Sequence, residues 1–179
     1  VPHITPLGFQ EDSTGVLLSP FVPSVTLENL RRDGMAVLNF TDDVRLFAGC
    51  LTGRRQWPVL PSSTIPVPRL AGCLTHWELA VVQVEEDPQR PRFRCRVLQR
   101  EQHGPFLGFN RAQAAVVEGA ILVSRLDWLP AARVAAEMRY LQIAIDKTAG
   151  ERERLAWSWL CEAVAAHPGH GGASTGAEP

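Results

Sequence analysis

Three polar side chains, Ser24, Thr26 and Asn29, crowd the run "SPFVPSVTLENLRR" that spans Ser19 to Arg32. Two hydroxyls and a carboxamide offer hydrogen-bond donors without charge, and donors gathered at the first turn of a helix suit an anion. The first N–H groups of a helix lack intrahelical partners, and the summed peptide dipole draws phosphate or carboxylate to that end. The same residue types are also ordinary N-caps, and Ser24 or Thr26 alone would satisfy one of those N–H groups. Capping is the commoner use, so local physics by itself leans towards it. There is no glycine-rich nucleotide loop, neither GxxxxGK nor GxGxxG behind a strand. A phosphate bound here would rest on hydroxyls and a helix N-terminus.

Other chemistry-bearing residues are better explained by structure. His76, between Thr75 and Trp77 in a strand-like run, reads as a hydrogen-bonded structural histidine rather than a general acid or base. Asp42 and Asp43 follow a strand and read as turn residues rather than a carboxylate pair. Arg94 and Arg96 share a strand face that reads as solvated. Arg54 and Arg55, in "TGRRQW", have a somewhat better claim to an anionic ligand because they open a long loop. Cys50, Cys73, Cys95 and Cys161 are widely spaced, with no CxxC pair and no histidine taken to be at ligand spacing. They read as reduced, structural thiols, with no metal site expected.

Composition sets outer limits. The chain has 179 residues, 45% of them hydrophobic, enough for a core without disulfide staples. Net charge is −1, from 18 basic and 19 acidic side chains, and Lys147 is the single lysine. This balance carries no electrostatic footprint for nucleic acid. No apolar run approaches the length of a membrane span, and no leader is evident, so a cytoplasmic protein with no membrane partner is expected.

The elements that must position these residues divide into a β-rich front and a helical back. "ITPLGF" and "TGVLLSPF" predict a hairpin across the turn-like "QEDSTG". A short helix from Thr26 to Asp33, ended by Gly34, leads into the strand "MAVLNF". Four prolines between Arg54 and Arg69 predict a long loop without regular structure. "LTHWELAVVQVEED" and "RFRCRVLQREQ" predict a second hairpin, with Phe93, Cys95 and Val97 on one face. From Asn110 the period becomes helical, with Ala112, Ala115, Val116, Gly119, Ala120 and Val123 on one stripe and Asn110 with Gln113 in the form of a capping box. Two further helices run from Pro130 to Gly150 and from Glu151 to about His167. The stretch from Pro168 is too poor in apolar groups to fold.

"ITPLGF", "GVLLSPFVPSVTLENLRRDGMAVLNFTDD" and "GFNRAQAAVVEGAILVSRL" together resemble a family of uncharacterised proteins, DUF447, within the FMN-binding split-barrel, flavin-reductase-like superfamily. The resemblance runs from Ile4 to about Arg125, and the helical tail is similar to that family's C-terminal extension. It implies a mainly β fold with α-helices: an antiparallel six-stranded FMN-binding split barrel over 1–125, including the packing helix 110–125. A C-terminal helical hairpin over 126–167 and a disordered tail over 168–179 would follow. It also implies a homodimer with FMN at the subunit boundary. Carried over residue by residue, Ser24, Thr26 and Asn29 become candidates for the FMN phosphate, beside Phe21 and Val25. Thr5, Pro6 and Leu7 would line the flavin ring through backbone groups. The family has an extended strand before "TPLGF", where only Val1, Pro2, His3 and Ile4 stand here, so an edge of the site is expected to lie upstream of the sequence. The activity implied is a flavin-reductase-like oxidoreductase with a small-molecule substrate or a nicotinamide donor. A non-enzymatic split-barrel ligand-binding or assembly module is the alternative, since no nucleophile and base are spaced for catalysis.

Overall fold

The computed structural model of the chain describes residues 2–170. Two compact units emerge, one from Val1–Asp42 with Gln56–Phe106 and the other from Asp43–Arg55 with Leu107 onward.

The first unit is built on strands β1 (Phe9–Asp12), β2 (Gly15–Leu18), β3 (Met35–Phe40), β4 (Val59–Leu60), β5 (Arg69–Leu70), β6 (Thr75–Glu85) and β7 (Arg92–Gln102), with helix α1 (Val25–Asp33). Five strands form one antiparallel sheet in the order β1-β2-β7-β6-β3, and β4 and β5 form a separate pair. The expected six-stranded sheet is thus five strands plus a two-stranded annex among the described residues. In a flat sheet β1 and β3 would stand about 19 Å apart, four strand spacings. Yet the rings of Phe9 on β1 and Phe40 on β3 meet edge to face at 5.6 Å, and both pack on Trp77 of β6. The sheet therefore curls until its two edges share an aromatic cluster. Inside the curl lie Val16, Leu18, Leu79, Phe93 and Cys95, closed by Leu27 and Leu30 of α1.

The first hairpin forms, but further along than expected. "ITPLGF" supplies only its last residue to β1, and Gln10–Asp12, expected as turn, are strand. Pro6 removes a ladder donor upstream, whereas the pairing Phe9↔Leu18 to Asp12↔Gly15 holds residues of low strand propensity in place. Gly15 is required here: its φ is +131°, and a Cβ would stand 2.3 Å from the Cys95 carbonyl oxygen. Strand β3 and the β6–β7 hairpin lie where the pattern predicts. The proline-rich loop is irregular except where Val59↔Leu70 and Leu60↔Arg69 pair across its base.

The second unit comprises α2 (Arg45–Leu51), α3 (Arg111–Val123), α4 (Ala131–Thr148) and α5 (Glu151–Ala166). Its core gathers Val44, Ala48, Ala112, Ala115, Val116, Ala120, Ala144, Ile145, Ala156, Trp157 and Leu160. The sequence grouping put α3 with the strands; its small-residue stripe instead packs with α2, α4 and α5. Helix α2 has no counterpart in the sequence reading, because seven residues are too few to display a period. Asn110 caps α3 by accepting from the N–H groups of Ala112 and Gln113, at 2.8 and 3.3 Å. Gln113 does not complete the expected capping box; its Nε2 donates to Glu153 instead. Of the tail expected to be unstructured from 168, Pro168–His170 are described and form a turn with His170 buried, its Nε2 2.8 Å from the Leu126 carbonyl oxygen. That expectation fails for these three residues, and 171–179 lie outside the described residues. No helix among the described residues is long and apolar enough to cross a membrane.

Candidate functional site

Helix α1 begins as its sequence dictates. Ser24 sits in extended backbone and its Oγ accepts from the N–H of Leu27 at 3.2 Å, while Gly34 ends the helix in left-handed conformation. Accepting leaves the Ser24 hydroxyl proton free to donate elsewhere. The N–H groups of Val25 and Thr26 have no acceptor among the described residues, as expected for the first positions of a helix. Thr26 and Asn29 are three residues apart, hence on one face, and both are half-buried.

Thr26 Oγ1 is hydrogen-bonded to Nε2 of His3 at 3.1 Å. This contact ties the N-terminal segment to the first turn of α1 across 23 residues of sequence. Thr5, Pro6 and Leu7 follow directly: Thr5 is exposed, Pro6 is half-buried, and Leu7 packs on the core. Val25 is exposed. Phe21 is also exposed, but its ring carries the Arg90 guanidinium 4.4 Å above its centre. The segment that carries Thr5, Pro6 and Leu7 is thus tied to α1 through His3, two residues before Thr5.

Sequence reasoning missed Arg90. Asp87 accepts from the N–H groups of Gln89 and Arg90, fixing the turn between β6 and β7. Val22 N–H donates to the Gln89 carbonyl, and the Arg90 guanidinium donates to the Ser19 carbonyl at 3.1 and 3.3 Å. A groove of ≈ 430 Å³ runs alongside, lined by Gly8, Phe9, Gln10, Leu17, Ser19, Arg90 and Arg92. The two guanidinium groups of Arg90 and Arg92 in one groove suit an anionic ligand. The "DPQR" turn, which places an arginine opposite "SPF", was the available signal.

A second polar cluster covers the other face of β6. His76 and Glu78 are fully buried. Glu78 accepts from the N–H groups of Ser63, Thr64 and Ile65 at 2.6, 2.7 and 3.1 Å and from the Thr64 hydroxyl, which anchors the proline-rich loop. Burial raises the Glu78 carboxyl, but these hydrogen bonds outweigh it and hold the group down to about 2. His76 bonds Glu78 through Nε2 at 3.2 Å and His103 through Nδ1 at 2.8 Å. The structural reading of His76 holds in that both ring nitrogens are engaged. Burial, with the Arg69 guanidinium nearby, pushes His103 below the usual histidine range.

The remaining candidates find local roles. Asp43 accepts from the backbone and guanidinium of Arg45 at the start of α2. Arg94 is held by Asp12 and Thr14, and Arg96 is exposed. Arg54 stacks over Trp159 at 4.5 Å within the second unit. Cys50, Cys73 and Cys95 are buried, and Cys161 is exposed.

Residues 1–104 match the N-terminal domain of a protein family of unknown function, DUF447, and residues 110–162 match the family's following domain. The chain belongs to the DUF447 family. An FMN-bound member of that family from Methanosarcina mazei has a similar structure, with a TM-score of 0.78 at 17% identity over 89% of this chain and 86% of that one. The flavin reductase of styrene monooxygenase from Pseudomonas putida aligns over 57% of this chain and 72% of its own, at 17% identity and a TM-score of 0.47. An FMN-binding protein from Thermus thermophilus aligns over 49% and 53%, at 20% identity and a TM-score of 0.43. Among curated protein sequences nothing matches. The shared fold of the DUF447 family, with strands leading and helices following, is the architecture described above.

Proposed function

We propose that this protein is a split-barrel flavoprotein that binds FMN, with the phosphate against the first turn of α1. The observation that carries the reading is the His3–Thr26 bond, which ties the segment just upstream of Thr5, Pro6 and Leu7 to the helix N-terminus that holds the other candidates. Support comes from the FMN-bound member of the same family. The donor set fits a phosphate: the Ser24 hydroxyl proton and the N–H groups of Val25 and Thr26 lie at one helix end, with the Asn29 carboxamide a turn further along the Thr26 face. Arg90, stacked on Phe21, adds a positive charge near it. Thr5, Pro6 and Leu7 would offer backbone groups and an apolar wall to the ring. When bound, FMN supplies hydride and electron transfer, which the protein orients and shields from water.

The reading extends to a flavin-reductase-like oxidoreductase working as a homodimer with the cofactor at the subunit boundary. Titrating the purified protein with FMN while recording flavin fluorescence and visible absorption tests the binding. Protein that leaves FMN fluorescence unchanged overturns it. Nicotinamide oxidation by the FMN-loaded protein tests the activity, and binding without turnover would point to the non-enzymatic module. Light scattering that reports a monomer at micromolar concentration overturns the dimer.

A further inference from the structure

Cys73, His76 and His103 converge in the strand unit although only two of them are close in sequence. Cys73 ends the turn after β5, His76 is the second residue of β6, and His103 follows β7, where its N–H donates to the Leu74 carbonyl at 2.7 Å. The Cys73 sulfur and one nitrogen of each histidine lie within 4.8 Å of one another. Nδ1 of His76 and Nε2 of His103 are 2.8 Å apart with ring planes 7° from parallel and centroids 5.0 Å apart. Nitrogens this close exclude face-to-face stacking, so the rings meet by their nitrogen-bearing edges. The expectation that no histidine stands at ligand spacing from a cysteine is corrected here: Cys73 and His76 are a C-x-x-H pair.

The surroundings are those of a metal centre. Every other bond to Glu78 comes from a donor, so its carboxylate accepts from His76, which places the proton on Nε2 and the lone pair on Nδ1. A metal-ligating histidine characteristically donates its second N–H to a carboxylate in this way. Glu101 Oε1 lies 3.8 Å from Nδ1 of His103, beyond hydrogen-bond distance. The carboxylates of Glu78 and Glu101 and the Arg69 guanidinium stand around the cluster, a net negative setting that favours a divalent cation.

We propose that Cys73 Sγ, His76 Nδ1 and His103 Nε2 bind a divalent transition metal of the zinc class, with the fourth position open to water or an added ligand. One sulfur and two imidazole nitrogens suit that class. Ligand atoms around a tetrahedral zinc stand roughly 3.3 to 3.6 Å apart, as its bond lengths require. To admit the ion the histidine nitrogens must separate by about half an ångström and their rings turn until both lone pairs converge, while the sulfur, within 4.8 Å, closes in. The site does not depend on the flavin reading.

The test is titration of the untagged, reduced, full-length chain with Co²⁺ alone. The expected result is one equivalent bound, with thiolate-to-cobalt charge transfer in the near ultraviolet and tetrahedral d–d bands in the visible. Cys73→Ser removes the charge-transfer band, His103→Asn at the cluster's exposed edge lowers affinity at least tenfold, and Cys161→Ser changes neither. Circular dichroism accompanies each variant, and if Cys73→Ser fails to fold, His103→Asn decides. No cobalt spectrum in the parent chain, or an unchanged one in folded Cys73→Ser or His103→Asn, overturns the site.

Discussion

Thr26 Oγ1 and His3 Nε2 stand 3.1 Å apart, and that bond holds an N-terminal segment without regular structure against the first turn of α1. It turns two separate sequence signals into one local environment. The first prediction follows from it.

Replacing Thr26 and Asn29 together by alanine removes a hydroxyl and a carboxamide from one helix face while leaving the Ser24 cap. FMN affinity is expected to fall by at least tenfold, about 1.4 kcal/mol, with the circular dichroism spectrum unchanged. Fluorescence titration reads the first and thermal melting the second. Unaltered affinity in the folded variant would remove this face from the phosphate site.

Ser24 separates capping from ligand binding. Ser24→Ala loses the bond to Leu27 N–H and is expected to cost about 1 kcal/mol of stability. Ser24→Asp keeps a capping oxygen but sets a negative charge where the phosphate is proposed. Urea melts should find Ser24→Asp close to the parent chain, while FMN titration finds it weaker than Ser24→Ala. Equal affinities would refute a phosphate at this end.

Glu78 governs acid stability. Its folded-state carboxyl is held at about 2, below the ordinary carboxyl value of 4.5. The contribution is therefore fully present above the unfolded-state value and is lost as pH falls towards the folded one. Denaturant midpoints measured from neutrality down to pH 3 should decline below about pH 4.5 in the parent chain. Glu78→Ala, which strands His76 and three loop N–H groups, is expected to destabilise by about 3–5 kcal/mol and to flatten that decline.

The curl of the sheet is testable through Phe9 and Phe40, whose rings meet at 5.6 Å. A double-mutant cycle to alanine should yield a coupling of about 0.5–1.5 kcal/mol, as for other edge-to-face pairs. A coupling of zero would mean that the edges do not associate in solution.

Gly119 reports on the helical unit. A Cβ there would stand 2.8 Å from Trp157 and 3.1 Å from Leu160. Gly119→Ala raises helix propensity yet overpacks this contact, so the net expectation is a loss of about 1–3 kcal/mol in thermal or urea unfolding. A gain would show that α3 and α5 can yield.

What the sequence determined by itself was everything set by neighbours in the chain. The stop of α1 at Gly34, strand β3, the β6–β7 hairpin and the buried stripe of α3 follow from spacing and residue type, whereas the structure decides for Ser24 over Thr26 as the α1 cap. These depend on contacts within a few residues or on a period long enough to be seen. Tertiary structure alone decided the rest. Phe9–Asp12 is strand because β2 pairs with it, not because Gln10, Glu11 and Asp12 favour strand. Arg90 reaches Phe21 and Ser19 only because the β6–β7 turn folds back beside them. His103 joins Cys73 and His76 through antiparallel register across β6 and β7, the two histidines standing 27 positions apart in sequence. Contacts at that separation leave no local period in the chain, so they become legible only once the sheet is assembled.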